Sequence, residues 1–275
     1  MLKQRVLTAL ILAPLVLAAI YFLPSPIVAI ILGLIILIGA WEWAGLSGFE
    51  AARSKAMYVG ITGILIVASY PLILKATMGH VLIVACLWWL LALIVIISAQ
   101  VKGTLPRQNR WLFLNLGYLI LIPAWMAIVF LHSHTKLGPT WVLFLFALIW
   151  TADIGAYFAG RAIGKHKLAD KISPGKSWEG VFGGLIAVLV LAMLLLPVLT
   201  GKEEVSTSMI LLCLGTVLMS VLGDLTESVV KRISGKKDSG TILPGHGGVM
   251  DRIDSLTAAA PVFVAGLTLL GYVSL

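Results

Sequence analysis

The chain alternates long apolar runs with short polar loops. Nine apolar runs can be marked, at roughly 6–23, 27–46, 57–75, 79–99, 111–131, 138–160, 179–199, 207–230 and 255–273. Each approaches the ~20 residues that an α-helix needs to cross the hydrocarbon layer. A single chain crosses a bilayer only if its backbone polar groups are satisfied internally, so runs of this length read as helices. The pattern predicts an all-α, polytopic integral membrane protein with about nine transmembrane helices. Pro24 and Pro26 tighten the first turn. The loops fall at 47–56, 101–110, 132–138, 161–177 and 200–206, with a last polar stretch before the final run. No internal repeat, low-complexity linker or soluble domain interrupts the series.

Composition agrees: 60% of residues are hydrophobic, 12% are charged and the mean hydropathy is +1.05. These values lie outside the range of soluble globular domains. The net charge of +8 does not signal nucleic acid, because the basic residues sit in short loops between apolar runs. Their distribution speaks to topology instead. Counted on alternate sides of nine spans, Lys and Arg divide 17 to 3, with Lys75, Lys136 and Lys202 on the poorer side. The positive-inside rule makes the richer side cytoplasmic, with the N-terminus inside and the C-terminus outside. The first run imitates a signal peptide. It is longer than a usual apolar core and lacks a small-residue cleavage site, so it reads as a retained span. Cys86 and Cys213 each lie inside an apolar run without metal spacing and carry no role. The chain divides into 1–137, with about five spans, and 138–275, with cytoplasmic loops 161–178 and 231–254, the whole forming one membrane domain.

Candidate chemistry concentrates in the second part. Asp153 lies in the sixth run, and Asp224 and Glu227 lie in the eighth. Ionisable groups inside spans are costly and need a partner or a polar cavity. Asp153 precedes Arg161, and Asp224 precedes Lys231, by similar spacings, which puts both carboxylates about 10–12 Å inward from the basic rim at ~1.5 Å per residue. Asp224, Glu227 and Lys231 share one helix face, with Ser228 beside them. Asp251 and Asp254 are again three apart, at the entrance of the last span. The stretch Ser228–Asp254 holds five of the twenty Lys and Arg. Carboxylates in this pattern suit Mg²⁺ held together with substrate phosphates, and the interleaved Lys and Arg suit the phosphates themselves. A purely structural alternative pairs the acids with Lys231, Arg232 or Arg252 to lock the helices.

Two glycine-rich segments, GHGG at 245–248 and SPGKSWEGVFGG at 173–184, could offer backbone N–H groups to phosphates. The second is not a P-loop, since Asp170 stands where the first glycine is required. A turn entering the seventh span is its simpler reading. His246 is read as a phosphate contact. Glu42, between Trp41 and Trp43, reads as an interfacial acid reaching for the surface within an aromatic belt. His132 and His134 read as outer-loop residues. Trp88, Trp89 and Trp141 read as belt or lipid-facing residues.

Taken together, Ser228-x-x-Lys231-Arg232, Lys237-Asp238-x-Gly240, Leu243-Pro244-x-His246-Gly247-Gly248 and Asp251-Arg252-x-Asp254 resemble the signature of phosphatidate cytidylyltransferases, the CDP-diacylglycerol synthases, without departure across 27 residues. GDLTES upstream and KISPGKSWEG at 171–180 also resemble that family. The likeness is close over roughly 150–260; the first five spans share only their apolar character and a WEW-like element. The resemblance implies a Mg²⁺-dependent reaction of CTP with phosphatidic acid, with a second, monovalent ion such as K⁺ as a further expectation. It also implies a homodimer in the plasma (inner) membrane of a bacterium, surrounded by membrane lipids, with the site on the cytoplasmic face. Carried onto this chain, Asp224, Asp251, Glu227 and Asp254 would hold metal. Asp224, Asp251, Asp254, Lys231 and Arg232 would form the catalytic set. Ser228, Lys237, Asp238, His246, Gly247, Gly248, Arg252, Asp153, Lys171 and Lys176 would bind substrate.

Three other readings compete. A CDP-alcohol phosphotransferase needs a paired-Asp helix motif that does not occur here. An ion-coupled transporter predicts repeated halves, which are absent. A lipid kinase using CTP is harder to exclude and differs in its product, CDP rather than pyrophosphate.

Overall fold

The computed structural model describes residues 13–73, 75–102, 104–105, 107, 109–243, 245 and 247–275. Helix α1 covers Ala13–Phe22 in the described residues. It is followed by α2 (Ser25–Leu46), α3 (Ala52–Ser69) with a 3-10 turn at Tyr70–Leu72, α4 (Thr77–Lys102), α5 (Arg110–His134) and α6 (Gly138–Ile163). A two-stranded antiparallel hairpin, β1 (Lys167–Ala169) and β2 (Ser173–Ser177), leads into α7 (Trp178–Thr200), α8 (Thr207–Ile233) and α9 (Met250–Leu269).

Eight of these helices are long and apolar enough to cross a membrane. The first expected span, 6–23, runs partly into residues outside the described set. The all-α membrane architecture expected from the apolar pattern is therefore the observed one. The hairpin is an addition that the loop composition did not announce. Helix α3 starts five residues earlier than the apolar run, at Ala52, and α9 starts at Met250, so Asp251 and Asp254 belong to the helix itself.

Helices α2, α5 and α9 form the centre. In α5 every residue from Pro123 to His132 is buried, which a helix achieves only when neighbours surround it. Three directed hydrogen bonds fix α2 and α3 against α5. The Trp43 indole N–H donates to the Phe113 carbonyl at 2.7 Å, the Trp125 indole N–H to Ala29 at 3.0 Å, and the Tyr58 hydroxyl to Leu114 at 2.9 Å. Helices α6 and α7 pack along a seam of small residues. A methyl added to Gly155 would meet Ala187 and the Gly183 carbonyl at 2.8 Å, and one on Gly184 would meet the Ala152 carbonyl at 2.8 Å. Such seams let backbones approach closely where lipid removes the hydrophobic drive for association. Glycines 180, 183 and 184 thus serve helix packing, and Ser177 caps α7 by accepting the Gly180 N–H at 3.1 Å.

Several residues expected at the surface are interior. Glu42 is buried, not reaching outward. His132 is buried, with Nε2 2.8 Å from the Ile20 carbonyl and Nδ1 2.9 Å from the Ser25 hydroxyl, tying α5 to α1 and α2. His134 lies partly buried against the Phe130 ring. Trp89 and Trp141 are core residues, the latter packed against Phe144, Phe263 and Tyr272. The physical reason is common to all: a helix in a bundle has two environments, and position within an apolar run does not say which one a side chain faces.

Candidate active site

The site begins where α8 crosses α9. A methyl on Gly223 would collide with the Asp254 carbonyl, so the bare glycine is what lets the two backbones meet. This approach brings Asp224 and Glu227 of α8 against Asp254 of α9. Glu227 is 1% exposed, and its carboxyl group faces that of Asp254. Neither Glu227 oxygen accepts a hydrogen bond. The Lys231 ammonium lies 3.4 Å from Glu227 Oε1, a charge contact without hydrogen-bond geometry, and donates to Asp251 Oδ1 at 2.7 Å. Lys231 is itself buried. A lysine head group at this depth persists because both its acids are there to offset desolvation.

Asp251 is the hub of the loop between α8 and α9. While Oδ1 takes Lys231, Oδ2 accepts the Ser239 N–H at 3.0 Å, the Ser239 hydroxyl at 2.9 Å and the Gly248 N–H at 2.8 Å. One carboxylate thus folds the loop back onto the start of α9. Gly247 has φ +82°, and its carbonyl accepts the Leu243 N–H at 3.0 Å. A side chain there would be strained, so this glycine shapes the turn.

The hairpin closes the other side. Lys176, on β2, forms an ion pair with Asp224. Asp153 of α6 interacts electrostatically with Lys176, Asp224 and Arg252. Arg232 donates from Nε to the Ile172 carbonyl at 3.1 Å, holding the hairpin turn to the end of α8. At the hairpin's base, Glu179 accepts the His166 backbone N–H at 3.1 Å and lies 2.6 Å from its Nδ1. Between α6, α7, β2 and α8 runs a cleft of about 550 Å³, lined by Asp153, Tyr157, Arg161, Lys176 and Ser177 at its polar positions. Small residues such as Ala156, Gly180 and Gly184 line the rest.

The fold therefore unites Asp153, Lys176, Asp224, Glu227, Lys231, Asp251, Arg252 and Asp254, from four elements, around one crossing. Ser228 joins by donating to Asp224 Oδ1 at 3.3 Å. Gly247 and Gly248 lie in the same loop, while Lys237 and Asp238 are exposed on it and Lys171 is exposed at the hairpin turn. His246 lies outside the described residues. Sequence reasoning missed Ser239, within the loop itself, and Glu42, whose contacts with the loop and the start of α9 span about two hundred residues of chain. The one available signal for Glu42 was an acid inside an apolar run.

A divalent cation suits this donor set. Among the described residues no group of three or more His, Cys, Asp and Glu forms a ready-made cage. Mg²⁺ does not require one, since it is commonly held by one or two carboxylates completed by phosphate and water. Glu227 and Asp254 are two buried carboxyl groups facing each other, with Lys231 3.4 Å from Glu227 Oε1 and no hydrogen-bond donor on either Glu227 oxygen, an oxygen-rich pair that a further cation or a proton would satisfy.

Residues 3–270 match the cytidylyltransferase family. The chain is 45% identical to a phosphatidate cytidylyltransferase of Pseudomonas aeruginosa, covering 99% of each protein. It is 42% identical to one of Haemophilus influenzae, covering 96% of this chain and 97% of that protein. A Staphylococcus epidermidis protein of the same name is 33% identical over 94% of this chain and 96% of its own length. The family match spans nearly the whole chain and so includes the buried acidic crossing, the hairpin and the glycine loop, and on that ground the chain belongs to the cytidylyltransferase family.

Proposed function

We propose that the chain transfers the cytidylyl group of CTP to phosphatidic acid, releasing pyrophosphate and forming CDP-diacylglycerol. The observation that carries this reading is the full-length similarity to phosphatidate cytidylyltransferases, joined to an acidic and basic cluster set within a membrane bundle. A lipid phosphate oxygen attacks the α-phosphorus of CTP. The new P–O bond forms as the bond from the α-phosphorus to the bridging oxygen of the leaving pyrophosphate breaks. The nucleophile is already an anion, so no side chain has to activate it. What the protein must supply is alignment and compensation of charge on the phosphates.

The residues present divide that task. Lys231 and Lys176, each set against a carboxylate, are cations held at the acidic crossing. Arg232, Lys237 and Arg252 add positive charge for the triphosphate and the lipid head group. Asp251 keeps the loop folded through Ser239 and Gly248, which leaves Gly247 and Gly248 to shape the nucleotide side. Ser228, Asp238, His246, Asp153 and Lys171 complete the substrate-binding set. Asp224, Asp254 and Glu227, with Asp251, would hold Mg²⁺, which when bound neutralises phosphate charge and polarises the α-phosphorus. A monovalent ion such as K⁺ is the second expected ion.

The orientation follows from the Lys and Arg distribution. The site faces the cytoplasm, where CTP is available, at a depth that a membrane-embedded phosphatidate can reach. The bacterial origin of the relatives supports a bacterial membrane for this chain, which we read as the inner one. Two chains assemble as a homodimer, and α6–α9 with their loops form the catalytic part of a single membrane domain.

The test is release of pyrophosphate from CTP by the purified chain in mixed micelles, with and without phosphatidic acid. Lipid-dependent pyrophosphate and CDP-diacylglycerol are expected. CDP without pyrophosphate would establish a CTP-dependent lipid kinase instead, and no lipid dependence would overturn the reading.

A further inference from the structure

Glu42 stands on α2, far from the signature loop in sequence, yet it is embedded in that loop. Its Oε1 accepts the Val249 N–H at 3.1 Å. Its Oε2 accepts the Met250 N–H at 2.8 Å and lies 3.2 Å from the Ser239 hydroxyl, whose single proton it shares with Asp251 Oδ2. Helix α9 starts at these amides, and its own N-cap residue, Val249, has no side-chain acceptor to offer. A helix start leaves unsatisfied N–H groups and a partial positive charge. Glu42 satisfies both from a different helix.

Two glycines of the signature loop record the same contact. A methyl on Gly240 would strike the Glu42 carboxylate. One on Gly248 would strike the Ser239 hydroxyl and approach Glu42 Oε2 at 2.6 Å. These positions are bare because a buried carboxylate occupies the space beside them. Just past Glu42, the Gly45 carbonyl accepts Lys236 Nζ at 3.0 Å, and Gly39 lies against Met250 and Ile253. Helix α2 is held in turn by the Trp43 indole, fully buried and bonded to Phe113.

We infer that Glu42 is a positioning residue for the reaction: it sets the rotation and start of α9, and through Ser239 the loop, so that Asp251, Asp254 and Lys231 converge. This rests on the cytidylyl-transfer reading above. Helix α2 is thereby a working part of the site and more than an anchor in the bilayer. Both carboxylate oxygens accept N–H donors, so an amide in this place would turn an NH₂ toward one of them. Glu42→Gln is therefore a disruption with nearly unchanged volume.

The experiment compares the full-length chain with Glu42→Gln and Ser239→Ala, measuring kcat, KM for CTP and for phosphatidic acid, and hydrogen exchange at residues 247–251. Glu42→Gln is expected to lower kcat by about 10²-fold, the scale of a small misplacement of reacting groups. Both KM values should stay near wild type, and protection should be lost at Val249 and Met250 while α5 keeps it. Ser239→Ala should move kcat the same way by less. Unchanged kcat, or a raised KM with kcat intact, overturns the inference. So does a kcat loss that merely tracks a reduced folded fraction, with normal exchange at 249–250 in the remainder. If Glu42→Gln does not accumulate, Ser239→Ala decides, and wild-type kcat in that folded variant overturns the proposal. Absence of lipid-dependent pyrophosphate in the unmodified chain would refute the reaction instead, and the exchange data would still decide whether Glu42 caps α9.

Discussion

On the hairpin side of the site, Lys176 meets Asp224 with side chains 26% and 31% exposed. On the loop side, Lys231 meets Asp251 with side chains 11% and 8% exposed, and Asp251 accepts three further hydrogen bonds. The two contacts use the same chemistry in opposite settings. A pair that keeps partial contact with solvent contributes less to stability and can be exchanged for a substrate phosphate at smaller cost. A buried pair is expensive to break from either end, because the surviving charge is left without compensation. The hairpin contact is thus suited to opening during turnover, and the loop contact to holding the geometry that turnover needs.

This contrast can be broken in three ways. Asp251→Asn has the largest expected effect. It removes the carboxylate that hydrogen-bonds Lys231, leaving that buried ammonium only its contact with Glu227, and weakens the loop's fold, so turnover should vanish and stability in detergent should fall by about 3 kcal/mol, read as a lower melting temperature. Asp224→Asn comes next. Turnover should again vanish, but the melting temperature should stay near wild type, since its partner Lys176 remains partly solvated. Wild-type-like turnover in either variant would remove that residue from the metal and catalytic set. Lys176→Gln is the mildest. Stability should change by less than about 1 kcal/mol, while turnover falls roughly tenfold, about 1.4 kcal/mol of transition-state stabilisation. An unfolded Lys176→Gln variant would erase the distinction between the two sides.

The acids of the site could be read from the chain because the membrane makes them conspicuous. Asp153, Asp224 and Glu227 interrupt apolar runs, and in lipid such an interruption demands an explanation. Spacing then placed Asp224, Glu227 and Lys231 on one face, and the described contacts join Glu227 to Lys231 and Lys176 to Asp224. The same logic failed for Glu42. Near a predicted helix end, an acid flanked by tryptophans is as easily a surface group as a buried cap, and nothing local separates the two. His132 and Trp89 failed likewise, since a long apolar run hides which face meets protein and which meets lipid. The glycines were ambiguous for a related reason. Gly180, Gly183 and Gly184 pack α7 on α6, Gly223 admits α9, and Gly240 and Gly248 make room for Glu42 and Ser239. Each role is a close approach, and only the partner tells them apart.

By itself the sequence determined the membrane class and the places where helices run, because bilayer thickness and backbone hydrogen bonding leave few alternatives for long apolar segments. It also carried the signature stretch Ser228–Asp254. Only the tertiary structure decided that Glu227 and Asp251 share the Lys231 ammonium, that Asp251 folds the loop, that a hairpin carries Lys176 to Asp224, and that α2 supplies the cap of α9 through Glu42. These depend on contacts between helices distant in sequence. Local spacing can orient a residue on its own helix, but it cannot choose the neighbour.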